Sequence, residues 1–268
     1  MFRINLIRGF VYPLTDLKRL LVAWLILPLS LLILVPPILA GLGLGGVLTL
    51  SFQQGVGLSL GVVATCLVVG SLPFTALAGY LYRCRQRVMQ GDNSLPPWSG
   101  ARRLLIDGGK MDTLGLILVL PSAVLLSGGL ISLVGPLSHL GSQRTLGSLI
   151  LALVGSGTGL MLLLTALLCW LFVLLISPMA TLRLARGASP LRALNLDELF
   201  GEIRQGWTDY LICCLVCWGL SLAFQAAQAA FLPLIIVSFP AQVYLQLVWA
   251  HLLGQYARAH SLGSFKER

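Results

Sequence analysis

The fold is decided by one uncharged stretch, "LLVAWLILPLSLLILVPPILAGLGLGGVLTLSFQQGVGLSLGVVATCLVVGSLPFTALAGYLY", which runs from Leu20 to Tyr82. It contains no Lys, Arg, Asp or Glu. It is about three times as long as the roughly 20 apolar residues that a helix needs to cross a bilayer. The stretch therefore has room for two spanning helices, with the glycine-rich segment Gly41 to Gly57 between them.

The composition of the whole chain agrees with this interpretation. Of its 268 residues, 57% are hydrophobic and 10% are charged, and the mean hydropathy is +0.91. Soluble domains carry about 25% charged residues. A chain with so few charges cannot cover a water-facing surface, which excludes an ordinary soluble domain and predicts an integral membrane protein.

Three further blocks lack charged residues: Thr113 to Gln143, Thr145 to Leu182 and Tyr210 to Ala257. The first two are each long enough for one span, and the last has room for two around Pro233. We therefore predict an all-α polytopic membrane protein with six transmembrane helices, at about residues 20–42, 56–82, 113–136, 148–178, 210–231 and 234–257.

The basic residues predict the orientation. With six spans, every Lys and Arg except Arg144 lies on the side that holds both termini. Basic residues near span ends are retained in the cytoplasm. Both termini are therefore expected to be cytoplasmic, in a multi-pass protein of the cell membrane.

The chain also shows an internal order. Asp16, Asp112 and Asp209 each follow a glycine and precede a predicted span, and each is a candidate N-cap. We predict three tandem units, each an interfacial helix followed by two spans, at about residues 1–98, 99–194 and 195–268.

Segments between the predicted spans have helical apolar stripes. In Leu194 to Trp207, Leu196, Leu199, Phe200 and Ile203 lie opposite acidic residues. This pattern predicts an amphipathic helix over 195–206 that lies in the headgroup plane. Ser99 to Met111 is a weaker example, and the basic segments suit an anionic inner leaflet, so anionic lipids are expected partners.

One loop combines basic residues with a rigid turn. Arg83, Arg85 and Arg87 follow the second predicted span, and the simplest interpretation is a topology signal with side chains that snorkel; a specific anionic-lipid site is an alternative. We expect the second helix to end near Gly91. Pro96 and Pro97 cannot continue a helix, and Trp98 favours the headgroup level, so the chain should turn back and dock there.

Four glutamines lie in the last two predicted spans: Gln225, Gln228, Gln242 and Gln246. An amide without a partner in lipid is costly. Hydrogen bonds between the two helices are the simplest interpretation, and a small polar pocket or a partner-binding seam is the alternative.

No pattern of catalytic residues is evident in the sequence. It contains no H-E-x-x-H motif and no phosphate-binding loop, and Cys213, Cys214 and Cys217 lack a second pair of metal ligands. We expect no enzyme activity, no cofactor, no metal and no nucleic-acid partner. The sequence favours a non-catalytic scaffold, assembly factor or subunit of a membrane complex, which implies a membrane-protein partner. The alternative is an uncoupled transporter or lipid-handling protein with a small polar cavity between helices.

Three segments of the sequence resemble a known family. "GYLYRCRQRVMQGDNSLPPW", "PMATLRLARGASPLRALNLDELFGEIRQGWTDYL" and "VWAHLLGQYARAH" are similar to the uncharacterised polytopic membrane family called domain of unknown function 4013. The most specific segments of this resemblance are the G-D-x-x-L-P-P-W turn and the "AHLLGQY" ending. Pro97 stands where an acidic residue is more usual in the family. The resemblance extends over nearly the whole chain. It implies a multi-span bacterial or archaeal membrane protein and transfers no catalytic residue.

Overall fold

The computed structural model describes residues 4–26, 28, 52–139, 146–231, 235–260 and 262, and gives side chains for all of these except 52–70, 134–139, 146–153 and 235–239. These residues form an all-α protein. The helices are α1 (Leu6–Val11), a 3-10 turn (Tyr12–Thr15), α2 (residues 17–26), α3 (Phe52–Met89), α4 (Ala101–His139), α5 (Leu146–Ala185), α6 (Pro190–Ala193), α7 (Leu196–Gln205), α8 (Trp207–Ala230) and α9 (Ile235–Ala259).

Three helical segments of the described chain are long and apolar enough to cross a membrane: Ala101–Leu133, Val154–Ala185 and Trp207–Ala230. They cover the predicted spans at 113–136, 148–178 and 210–231, apart from a few terminal residues. α3 is helical over the predicted span at 56–82, and α9 is helical over residues 235–257 of the span predicted at 234–257. The first predicted span, 20–42, lies mostly outside the described residues.

The chain divides into two compact units. The first comprises Met1–Asp112 and Thr181–Arg268, and the second comprises Thr113–Ala180. In the first unit, α3 and α9 share a core with α2 and the 3-10 turn. Its buried side chains include Tyr12, Leu20, Leu77, Tyr80, Leu81, Cys84, Val88, Leu95, Leu104, Val243, Leu247 and Ala250.

The second unit is a pair of long apolar helical segments. They approach closely at Gly129 and Gly159, where a Cβ on either glycine would lie about 3 Å from atoms of the opposite segment. Large apolar side chains face outward, and Leu116, Ile131 and Leu168 are each more than 60% exposed. An outward surface of this kind suits hydrocarbon rather than water.

α4 corrects the prediction of a separate interfacial helix over Ser99 to Met111. Residues 101–111 are instead the first three turns of α4, which continues through Asp112 without a break. The physical reason is a close helix crossing within the first unit. A Cβ on Gly79 would overlap the carbonyl of Leu104, and one on Gly108 would overlap the carbonyl of Thr75. This contact holds the glycine-containing turn of α4 against α3.

The three aspartates consequently differ in role. The Asp16 carboxylate accepts a hydrogen bond from the backbone N–H of Arg19 at 3.2 Å, as an N-cap does. Asp112 lies inside α4 and accepts a hydrogen bond from the Thr75 hydroxyl at 2.6 Å. Asp209 lies in the first turn of α8, 3.5 Å from Nε2 of His260. The N-cap interpretation is therefore correct for Asp16 alone.

Candidate functional site

The end of α3 is shaped by a glycine turn. The N–H of Gly91 donates to Val88 O at 3.0 Å and that of Asp92 donates to Arg87 O at 3.0 Å, which satisfies carbonyls at the helix end. Gly91 has φ +93°, a backbone conformation that favours glycine. Hydrogen bonds from Ser94 hold the pKa of the Asp92 carboxyl below its usual range. The predicted end of this helix near Gly91 is confirmed.

Trp98 then fixes the loop to two helices. Its indole stacks on Tyr80 of α3, with ring centroids 3.9 Å apart, and its Nε1–H donates to Arg19 O at 3.1 Å. The Arg19 guanidinium donates in turn to Leu95 O. Pro96 is buried and Pro97 is exposed. The chain therefore turns back as predicted and Trp98 packs against α3, while its position at the headgroup level stays a prediction.

The three arginines of this segment have different surroundings. The Arg83 guanidinium lies 3.4 Å from Asp107 and donates to Ser99 O at 2.8 Å. Arg87 lies 3.4 Å from the Asp92 carboxylate and donates to the Ser94 hydroxyl at 3.1 Å. Arg83 and Arg87 are therefore each paired with an aspartate.

Arg85 points to the opposite side of α3 and is only 5% exposed. Its Nε has no hydrogen-bond partner in the described part of the chain, and its Nη1 lies 3.8 Å from the Met111 sulfur, a weak acceptor. Burial lowers the pKa of Arg85 to about 10. Arg85 is therefore a buried cation with no carboxylate partner among the described residues, rather than a snorkelling side chain.

Arg83 and Arg87 line one wall of a concave site that we call the basic cavity. Its volume is about 650 Å³. Arg102 and Arg103, in the first turn of α4, form another wall, and the side-chain amides of Gln86 and Gln90 also line it. Asp107 is the one acidic residue among the described residues that line it.

A second polar cluster joins the two ends of the described chain. His251 of α9 stacks on Tyr12 with ring centroids 4.3 Å apart. Its Nδ1 accepts from the Gln255 amide at 3.0 Å, so its Nε2–H donates to Asn93 Oδ1 at 3.2 Å. Gln255 Oε1 accepts from the backbone N–H of Asn5 at 2.8 Å. These contacts give His251 a packing role.

A group of ion pairs, which the sequence reading missed, fastens α7 to the end of α5. Arg183 is fully buried; its guanidinium contacts the Glu198 carboxylate, lies 4.0 Å from Glu202 and donates to Asn195 O at 3.1 Å. Arg186 also pairs with Glu202. Burial lowers the pKa of Arg186, and the negative charge of Glu202 opposes that effect. The sequence signal that could have predicted these ion pairs is Arg183 and Arg186, three residues apart, followed by Glu198 and Glu202, four residues apart.

α7 itself lies where an amphipathic helix was predicted. It runs from Leu196 to Gln205, and Leu199 and Ile203 are buried. Leu196 is 44% exposed and Phe200 is 41% exposed. The apolar stripe is thus divided between the protein interior and an outward face.

The four glutamines are not joined to one another by hydrogen bonds in the described structure. Gln225 is exposed, and Gln242 and Gln246 are half-buried. The Nε2 of Gln228 is buried without a hydrogen-bond partner. Cys213, Cys214 and Cys217 are buried free thiols, and the described part of the chain holds no group of three or more potential metal ligands.

Comparison with known proteins identifies a matching family. The sequence profile of a family described as "Protein of unknown function (DUF4013)" matches residues 62–233. These residues include the loop from Gly79 to Gly100 and the α6–α7 region, whereas the "AHLLGQY" segment lies beyond them. No curated protein matches, and no solved structure matches.

Proposed function

The chain belongs to the family of proteins of unknown function DUF4013, and from that premise we propose that it is a six-span protein of the bacterial or archaeal cell membrane, with both termini in the cytoplasm. We propose further that it acts without catalysis, as a scaffold, assembly factor or subunit of a membrane complex.

The topology is supported by the three candidate membrane helices together with the position of the basic residues. Reporter fusions after Gln90, Gly187 and Arg268 should give cytoplasmic signals, and a fusion at Ser142 should give an exterior signal. A cytoplasmic signal at Ser142 would contradict the six-span topology.

The scaffold role is supported by one observation at α6 and α7. The ion pairs of the buried Arg183 and Arg186 with Glu198 and Glu202 hold this region in a fixed position. The same region presents large apolar side chains outward, and Leu191 is 75% exposed. A fixed surface with exposed apolar groups suits the docking of another protein.

Purification in mild detergent tests this role. We expect a stoichiometric protein partner that is retained by the native chain and lost from the Leu191→Gln/Phe200→Gln variant. Ile7→Gln is the matched control, because Ile7 is 77% exposed on α1. A native chain that purifies without a stoichiometric partner, or a partner that both variants lose equally, would contradict the role.

One observation favours the alternative, an uncoupled transporter or lipid-handling protein. The side-chain nitrogen of Gln228 has no hydrogen-bond partner among the described residues, and a solute or lipid headgroup could supply one. Two assays in proteoliposomes, the flux of small polar solutes and the transfer of lipid, distinguish this function from the scaffold role. Each assay compares the native chain with Gln228→Leu. Transport that requires Gln228 would favour this alternative over the scaffold.

A further inference from the structure

We propose that the basic cavity binds a phosphate-bearing anion from the aqueous phase rather than a lipid headgroup. The argument rests on the charges that line the cavity and on their distance from the hydrocarbon. The second part depends on the membrane topology proposed above.

The charges of the cavity are unbalanced. Four arginines line it against one aspartate, and that aspartate is already paired with Arg83. Arg102 and Arg103 are exposed and form no ion pair with any described residue. Arginine presents a planar set of donors that matches phosphate oxygens in a bidentate arrangement. The cavity thus has two guanidinium groups free for an anion.

The start of α4 adds hydrogen-bond donors at the same place. The first N–H groups of a helix have no acceptor within the helix, and they carry the positive end of the helix dipole. α4 begins at Ala101, beside Ser99 and Gly100 of the cavity wall. Backbone amides and the two arginines can therefore act on one anion.

The size of the cavity suits a small ligand. Its volume of about 650 Å³ lies within the range of roughly 300–1,000 Å³ typical of small-molecule sites. The amides of Gln86 and Gln90 can hydrogen-bond to a polar ligand whose phosphate contacts the arginines.

The depth of the cavity argues against a lipid headgroup. At the α3–α4 crossing, Thr75 contacts the exposed Asp112 carboxylate, so the hydrocarbon should end near Thr75, seven residues before the end of the span predicted at 56–82. At 1.5 Å per residue, Arg83 and Arg87 lie about 12 and 18 Å farther along α3. The headgroup layer is only about 5–8 Å thick on each side. The cavity then opens into water beyond the lipid phosphates.

Titration calorimetry on the purified full chain in detergent tests the chemistry, with inorganic pyrophosphate as the probe. We expect saturable binding that weakens at least about tenfold, or about 1.4 kcal/mol, in Arg102→Gln/Arg103→Gln, because two of the four guanidinium groups that line the cavity are removed. Arg102→Lys/Arg103→Lys keeps the positive charge and loses the bidentate donors, so its affinity should lie between those of the native chain and the glutamine variant. Lys110→Gln/Arg204→Gln removes the same charge from exposed positions outside the cavity and should leave the affinity within about twofold.

Three results would overturn the proposal. Absence of saturable binding, or equal weakening in the cavity and control variants, would mean that the arginines act only as a general positive field. A second arm uses vesicles of phosphatidylcholine with and without phosphatidylglycerol. If the variants alter retention of phosphatidylglycerol while pyrophosphate does not compete with it, the ligand is a lipid and the depth argument is wrong. Reporter fusions decide the topology separately, so failure of the cavity and failure of the topology are distinguishable.

Discussion

The indole ring of Trp98 lies flat on the phenol ring of Tyr80, with an angle of 4° between the two planes. Eighteen residues separate the two side chains along the sequence, and the whole turn after α3 lies between them. Because the same indole donates to Arg19 O, this single side chain joins the loop to both α2 and α3.

Trp98→Ala should therefore destabilise the first unit by about 3 kcal/mol, through loss of buried aromatic area and of the stack. Trp98→Phe keeps a ring on Tyr80 and loses the hydrogen bond, at a cost of about 1 kcal/mol. Thermal unfolding in detergent should rank the native chain above Trp98→Phe and Trp98→Ala last. If Trp98→Ala unfolds at the native temperature, the stack is not structural.

Two buried arginines should respond in opposite ways to replacement by methionine. Arg183→Met removes the buried partner of Glu198, whose side chain is 44% exposed, while Glu202 keeps its pair with Arg186, so the cost should be about 1–2 kcal/mol. Arg85→Met removes a buried cation that has no carboxylate partner among the described residues, and should be neutral or stabilising. Unfolding midpoints of the two variants provide the measurement. A large loss for Arg85→Met would mean that Arg85 has an anionic partner in the folded protein.

Neighbouring glycines of α4 offer a matched pair of substitutions. Gly108→Ala places a methyl group against the Thr75 carbonyl of α3 and should cost about 2 kcal/mol or more. A Cβ at Gly109 meets nothing within 4 Å, so Gly109→Ala should be neutral or should stabilise the helix by up to about 1 kcal/mol. Equal unfolding temperatures for the two variants would rule out the close crossing.

Alkaline pH should weaken the fold through Cys84. Burial raises the pKa of this thiol to about 12 from 9.0. Above pH 9 the unfolded chain loses the proton while the folded chain keeps it, so stability falls as pH rises, by up to about 1.4 kcal/mol per unit. The slope between pH 9 and 10 should be shallower in Cys84→Ala. An unchanged slope would mean that the thiol ionises equally in both states.

Local chemistry made part of this structure predictable from sequence. The end of α3 was predictable because Gly91 allows a left-handed turn and Pro96 and Pro97 cannot continue a helix. α7 was predictable because its apolar residues recur at helical spacing. These signals depend on residues close together in the chain, and no tertiary contact is needed to interpret them.

Contacts between distant residues were not predictable in the same way. Gly108 would usually weaken a helix, and only its contact with Thr75 explains why α4 continues there. Arg85 has the same sequence context as Arg83 and Arg87, but it faces the interior because it lies on the other side of α3. Glu202 was assigned to a polar outer face, whereas Arg183 and Arg186 draw it inward. Each case requires knowledge of which helix lies opposite.

The contact between Asn5 and Gln255 has a consequence for biosynthesis. The two residues are 250 positions apart. At about 5–20 residues per second, a ribosome makes the second roughly 12 to 50 s after the first. Throughout that interval Tyr12 lacks the His251 ring on which it stacks. The segment that contains Tyr12 therefore cannot complete its packing in the nascent chain until the last helix has been made. Truncated translation products that lack this helix cannot complete the core of the first unit.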